Sequence, residues 1–242
     1  MTRTVILITG ANRGLGNGLL RLYLLRPQHT LIAATRDPGN PSSAALLSLP
    51  RAKDTTLTLA KIEATSPTDP TSAVQELTAQ GVEHIDILIA NAGICLGFEK
   101  AHFDVNVYGF VRLYQAFRAL LQKAKAPNWS SSHNPSPNRC ASSYLPRNFI
   151  PFPNALYAPS KLVVHWYTKA ISVEDPWLTA LVVDPGWVAT DIGNRGANLV
   201  GLESAPARVE DSAAGVMTLI DGVSKETHSG RLFRLDGREG AW

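Results

Sequence analysis

The sequence predicts an α/β fold in which a doubly wound parallel sheet is contained in a single domain spanning residues 1–242. Three observations predict it. Short β-branched or apolar runs alternate along the chain with longer stretches carrying apolar residues at helical spacing, the pattern of parallel strands joined by crossover helices. The first apolar run passes straight into a glycine-rich turn, Thr9-Gly10-Ala11-Asn12-Arg13-Gly14-Leu15-Gly16. Finally, 45% of residues are apolar and 18% charged, enough to bury a core without disulfide or metal support.

Taken in order, strands are expected near 4–9, 30–35, 55–62, 85–90, 178–183 and 229–234. Helices are expected near 14–25, 70–80, 101–124, 154–172 and 207–222, with Leu113, Phe117, Leu120 and Leu121 marking one apolar face. No internal repeat is visible. The Ser/Asn/Pro-rich stretch Trp129 to Pro137 reads as loop.

Composition also excludes several classes. The two cysteines, Cys95 and Cys140, make neither a disulfide framework nor a zinc pattern, so no metal is expected and a cytoplasmic location is. The first ten residues hold only a four-residue apolar run, too short for a secretory signal. No stretch approaches the roughly 18 apolar residues of a membrane span. A scattered net charge of +3 argues against a nucleic acid or membrane partner.

The glycine turn sits between the first strand and the first helix, where a dinucleotide pyrophosphate would meet free N–H groups and the positive helix end. Gly10, Asn12, Arg13, Gly14, Leu15 and Gly16 are therefore candidate cofactor contacts. The second strand, Leu31 to Thr35, ends on Arg36 rather than on a carboxylate. A guanidinium forks onto phosphate oxygens, so the expected cofactor is NADP(H), with Arg13 as a second cation. Asp37 follows one residue late and is expected to face away.

Four further motifs lie downstream in order: Asn91-Ala92-Gly93, Val105-Asn106-Val107, Tyr157-Ala158-Pro159-Ser160-Lys161, and Asp184-Pro185-Gly186-Trp187-Val188-Ala189-Thr190-Asp191. With these the chain resembles the short-chain dehydrogenase/reductase family, a Rossmann-type fold, over nearly its whole length. Its C-terminal half, Trp177 to Asp191 and Ser229 to Trp242, is similar to the fungal norsolorinic acid ketoreductase group, which reduces a polyketide ketone with NADPH.

Hydride transfer to a carbonyl leaves an alkoxide that needs a proton donor and a polarising hydrogen bond. Tyr157 is the expected donor. Lys161 lies four residues on, on the same helix face, where its charge is expected to lower the tyrosine pKa. Pro159 between them fits the first turn of a helix. The resemblance further implies that Lys161 holds the nicotinamide ribose and that Asn106 orients a relay water. It also places Asn91, Ala92 and Gly93 at the adenosine side, Pro185 and Gly186 beside the nicotinamide, and Val188 and Thr190 at the carboxamide and phosphates. Glu63 falls where the family more often has an aspartate near adenine. A homodimer or homotetramer is usual in such proteins.

One element departs from the family, leaving an anomalous fifth strand. After the helix ending near Lys125 an apolar strand finishing on a catalytic serine is due, but the chain reads Ala126-Pro127-Asn128-Trp129-Ser130-Ser131-Ser132-His133. Central parallel strands are near-continuous apolar runs, so no buried strand is expected here. The genetic code offers an explanation. If the three serines are TCN codons after TGG, reading from the last base of TGG gives GTC, two NTC codons and NCA, hence Val, two apolar residues and a small one. Residues 130 to about 146 are thus expected to be a displaced reading frame or misplaced splice boundary. As written, Ser143, or Ser142 beside it, stands in for the polarising serine; ordinary loop serines are the alternative.

The expected function is an NADPH-dependent ketoreductase of secondary metabolism, moving a hydride between NADP(H) and a small-molecule carbonyl, aromatic or polyketide-like. Trp187, the 192–210 insertion and Phe149 to Phe152 are expected to form an apolar pocket, the insertion serving as a movable lid or a plain loop. Two alternatives stand: a non-catalytic NADP(H)-binding relic disabled at the fifth strand, and a nucleotide-sugar epimerase.

Overall fold

The computed structural model describes residues 3–95, 101–132 and 156–240. Its eight strands are β1 (Thr4–Thr9), β2 (His29–Thr35), β3 (Thr56–Lys61), β4 (Ile87–Ala90), β5 (Asn128–Ser132), β6 (Thr179–Asp184), β7 (Leu232–Arg234) and β8 (Glu239–Gly240). They form one sheet in the order β3-β2-β1-β4-β5-β6-β7-β8, parallel throughout except for the β7–β8 edge pair. The helices are α1 (Gly14–Leu24), α2 (Pro41–Ala44), α3 (Asp69–Ala79), α4 (Gly109–Gln122), α5 (Tyr157–Glu174), α6 (Asp191–Leu199), α7 (Val209–Asp221) and α8 (Lys225–His228). None of the described helices is long and apolar enough to cross a membrane.

Alternation of side chains along each strand splits the core in two. From β1, Val5 and Leu7 face α3, α4 and α5, joining Leu77, Phe117 and Val164. Ile6 and Ile8 face the other way and join Leu19 and Leu20 of α1 and Val216 and Ile220 of α7. Both faces of the sheet are thus covered, and the strand ends are left to form the site.

The expected strands and the long helices form where hydrophobic spacing puts them, with two differences of consequence. Asn128 to Ser132 is a strand after all. It pairs with β4 through Leu88↔Trp129 and Ile89↔Ser130, and with β6 through Ser130↔Leu181 and Ser131↔Val182. Backbone pairing to two neighbours outweighs the polar composition, because the serines find internal partners. Ser130 Oγ donates to Asn128 Oδ1 at 2.8 Å, and Ser131 Oγ donates to the Leu181 carbonyl at 3.3 Å. Pro127 precedes the strand and removes no donor from it; its carbonyl accepts from Thr179 N at 3.0 Å. The displaced-frame reading of 130 to about 146 otherwise falls from residue 133 onward outside the described residues.

The glycine-bearing insertion is the second difference. Its first part is helix α6, begun by Thr190, whose side chain accepts from Gly193 N at 3.2 Å. Gly193 packs against the Val188 carbonyl so closely that a Cβ would collide with it. Glycine at 193 thus serves close packing, and this part of the insertion is a helix rather than a plain loop.

Candidate active site

The site opens at the C-terminal ends of the strands, where the order reverses: β1 leads outward through β2 to β3 on one side and through β4 to β5 on the other. Such a switch point leaves a crevice between diverging crossover connections. The glycine turn crosses it. Gly10 N donates to the Ala34 carbonyl at 2.9 Å. A Cβ on Gly16 would collide with the Gly10 carbonyl and the Asn91 amide, so the turn folds tightly only without a side chain there. Thr9, which sequence reasoning missed, joins the two halves of the switch point. Its Oγ1 accepts from the N–H groups of Asn91 and Ala92, both at 3.0 Å, while Asn91 Nδ2 donates to the Thr9 carbonyl at 2.9 Å.

Fourteen of the expected cofactor contacts line one cleft: Gly10, Asn12, Arg13, Gly14, Leu15, Arg36, Glu63, Asn91, Ala92, Gly93, Pro185, Gly186, Val188 and Thr190. Tyr157 and Lys161 line the same cleft, as does Ser132 at the end of β5. Ser132 was hidden by the polar run around it; the only signal for it was its position at a strand end. Gly16 lies beneath the turn rather than on the cleft wall. Ser142, Ser143 and Phe149 to Phe152 lie outside the described residues.

Asn106 sits behind the wall, in the π-helical segment Phe103–Tyr108. Widened helical turns of this kind recur at functional sites. Its Nδ2 donates to Ser160 Oγ and to the Ile94 carbonyl, each at 3.0 Å, and its Oδ1 accepts from Ile94 N at 2.9 Å. A Cβ built on Gly93 would stand 3.2 Å from both Asn106 Oδ1 and Lys161 Nζ, so these two groups converge on one bare stretch of backbone.

Lys161 Nζ lies 5.6 Å from the centre of the Tyr157 ring, over its face. Burial holds the lysine pKa down to about 8. The tyrosine departs from expectation: burial pushes its pKa up, and the neighbouring Asp184 carboxylate pushes the same way. The phenol is therefore protonated at neutral pH, the form in which it donates. Two histidines flank the pair. His102, fully buried, packs edge-on to Tyr157 with ring centres 6.2 Å apart. His165, one turn beyond Lys161, is held to a pKa of about 4 by burial and by the lysine charge.

Both cations expected at the phosphates carry carboxylate partners, Arg36 with Glu63 at 3.6 Å and Arg13 with Asp191 at 3.4 Å. Asp37, expected to face away, lines the cleft, its Oδ1 turned onto Gly39 N at 2.9 Å. Trp187, expected in the pocket, is not among the lining residues; its indole N–H donates to the Gly193 carbonyl at 2.9 Å, leaving Ile192 and Gly193 on the wall. Among the described residues no three His, Cys, Asp or Glu side chains cluster as a metal site would need.

A family model for short chain dehydrogenases matches residues 4–144. The chain is 37% identical to a short-chain dehydrogenase of Neurospora crassa, over 99% of this chain and 98% of that protein. It is 36% identical to a norsolorinic acid ketoreductase of Emericella nidulans, over 99% and 94% of the two. In fold it is similar to an NADPH-bound carbonyl reductase from chicken fatty liver, with a TM-score of 0.79 at 22% identity across the whole of both chains.

Proposed function

The chain belongs to the short-chain dehydrogenase family, and from that premise we propose that it is an NADPH-dependent ketoreductase acting on an aromatic, polyketide-like ketone. One observation carries this reading: Tyr157, Lys161 and Ser132 share a single cleft with the glycine turn and Arg36. The residues present fit a 2′-phosphorylated dinucleotide. The turn is a cradle that a Cβ on Gly16 would fill, and Arg36 and Arg13 supply the cations that phosphates require. When bound, the dinucleotide supplies the hydride that the carbonyl carbon receives.

The chain's own groups do the rest. Tyr157 Oη holds the proton destined for the carbonyl oxygen. Lys161, buried and charged below a pH of about 8, stabilises the phenolate left behind. Asn106 fixes the Ile94 backbone and the start of α5 through Ser160, and so sets the spacing of Lys161 from Gly93. Ser132, which lines the cleft, is the group we assign to polarising the carbonyl, the role first given to Ser143. Ile94 and Ile192 supply apolar wall for a flat substrate. The names of the fungal relatives support the same substrate class. The relic alternative loses its premise, since β5 pairs with both neighbours.

The test is oxidation of NADPH by the purified protein in the presence of polycyclic aryl ketones, followed by absorbance. Ketone-dependent turnover is expected, abolished in Tyr157→Phe by a factor of about 10² to 10⁴ while NADPH still binds. The rate should fall as pH rises through about 8, where Lys161 loses its charge. Tight NADPH binding with no ketone reduction across a broad panel overturns the reading.

A further inference from the structure

Cofactor choice rests on Arg36, and the structure gives Arg36 a fixed carboxylate neighbour. The guanidinium Nε lies 3.6 Å from Glu63 Oε2, and both side chains line the cleft. Strands β2 and β3 pair in parallel as far as Thr35↔Lys61, so the two strand ends deliver a cation and a carboxylate to the same spot. Their freedom differs. Arg36 is 81% exposed and Glu63 only 26%. Glu63 is also tied locally: its Oε1 accepts from Thr65 N at 3.3 Å, and its own N–H donates to Asp69 Oδ2 at 3.1 Å. Asp69 in turn faces Lys61 at 3.6 Å, which leaves Glu63 as the carboxylate facing Arg36.

We propose that Glu63 is a specificity-determining competitor for Arg36: its carboxylate stands beside the guanidinium that a ribose 2′-phosphate would use, and so restrains the preference for NADP(H) over NAD(H). The inference rests on the NADP(H) reading above and deepens it. A guanidinium gains most from a planar two-point grip on an oxyanion, so two anions at one Arg36 compete for the same donors. They also repel each other. The unphosphorylated dinucleotide carries a neutral hydroxyl at that point, which a carboxylate tolerates or accepts from. Glu63 therefore penalises one cofactor and spares the other.

Equilibrium binding of NADPH and NADH, read by quenching of tryptophan fluorescence, tests this without any turnover. In Glu63→Gln the ratio of NADH to NADPH dissociation constants should rise about two- to fivefold, the worth of an exposed ion pair. Contacts of Glu63 with the adenine common to both cofactors cancel in that ratio. In an Arg36→Ala background the same substitution should raise the ratio by clearly less, since only the direct repulsion between carboxylate and phosphate is left to relieve. A ratio that stays constant or falls in Glu63→Gln overturns the inference, as does a rise of full size without Arg36. Equal affinity of the unaltered protein for NADPH and NADH is a different failure: it overturns the cofactor reading itself, and the inference with it.

Discussion

Strands β5 and β6 lie side by side at the centre of the sheet and could hardly be built from more different residues. Strand β6, Thr-Ala-Leu-Val-Val-Asp, buries Ala180, Leu181, Val182 and Val183. Strand β5, Asn-Trp-Ser-Ser-Ser, buries Asn128, Trp129, Ser130 and Ser131 to the same degree. They pair with each other from Asn128↔Thr179 to Ser132↔Val183, so the environment is shared and only the chemistry differs. A buried Val or Leu brings about 1.5–3 kcal/mol of hydrophobic stabilisation. A buried hydroxyl brings about 0.5–1.5 kcal/mol if it is bonded and costs about 1–3 if it is not. Two adjacent strands can therefore hold the same place in a fold while one drives its formation and the other is carried by its neighbours. Strand β5 even carries an indole N–H, that of Trp129, buried with no hydrogen-bond partner among the described residues.

The largest expected effect tests which strand bears the load. Leu181→Ala in β6 should destabilise the protein by about 2–5 kcal/mol, the range for truncating a buried leucine. Urea unfolding reads it directly. A loss below about 1 kcal/mol would mean that β6 is no more essential than its polar neighbour.

This contrast also marks what the sequence made legible. Local chemistry was readable: Gly10 to Gly16, Tyr157 and Lys161 are recognisable because the turn and the helix that carry them are specified within a few residues. Strand β6 was readable because its apolar run needs a buried place. Strand β5 was not, because its burial comes from pairing with β4 and β6, whose partners for Asn128, Ile87 and Thr179, lie 41 and 51 residues away. Ser132 was lost with it. In α6 Gly193 answers a packing demand set by Val188, which composition alone does not reveal. At Tyr157 the sequence could not show the burial that pushes the phenol pKa up.

The strand ends sharpen the comparison next. Strand β6 runs out into Asp184, which accepts from Gly186 N at 2.9 Å and so shapes the turn, whereas β5 ends on Ser132 in the cleft. If Ser132 polarises the carbonyl, Ser132→Ala should lower kcat by about 10- to 100-fold, equivalent to about 1.4–2.8 kcal/mol, with NADPH affinity unchanged. Steady-state kinetics and a binding titration separate the two. An unchanged kcat would remove Ser132 from the mechanism and return the role to Ser142 or Ser143.

The smallest effect carries the sharpest distinction, because two neighbouring serines should respond with opposite sign. Among the described residues Ser131 Oγ makes only long contacts, 3.3 Å to the Leu181 carbonyl and 3.4 Å to Thr168 Oγ1, and Thr168 keeps its own bond to the Val164 carbonyl at 2.9 Å. Replacing it with alanine removes a poorly bonded hydroxyl, leaves the cavity little changed and strands no strong partner. Ser130 differs: its Oγ is the donor to Asn128 Oδ1 at 2.8 Å, and Asn128 is itself buried. Ser131→Ala should therefore raise Tm by about 2–4 °C, corresponding to about 1 kcal/mol in a domain of this size, while Ser130→Ala should lower it by a similar amount. Calorimetric melting of the two variants decides it. A rise in both would mean that internal hydrogen bonds do not hold the polar strand in the core, and a fall in both that the long contacts of Ser131 stabilise it as well.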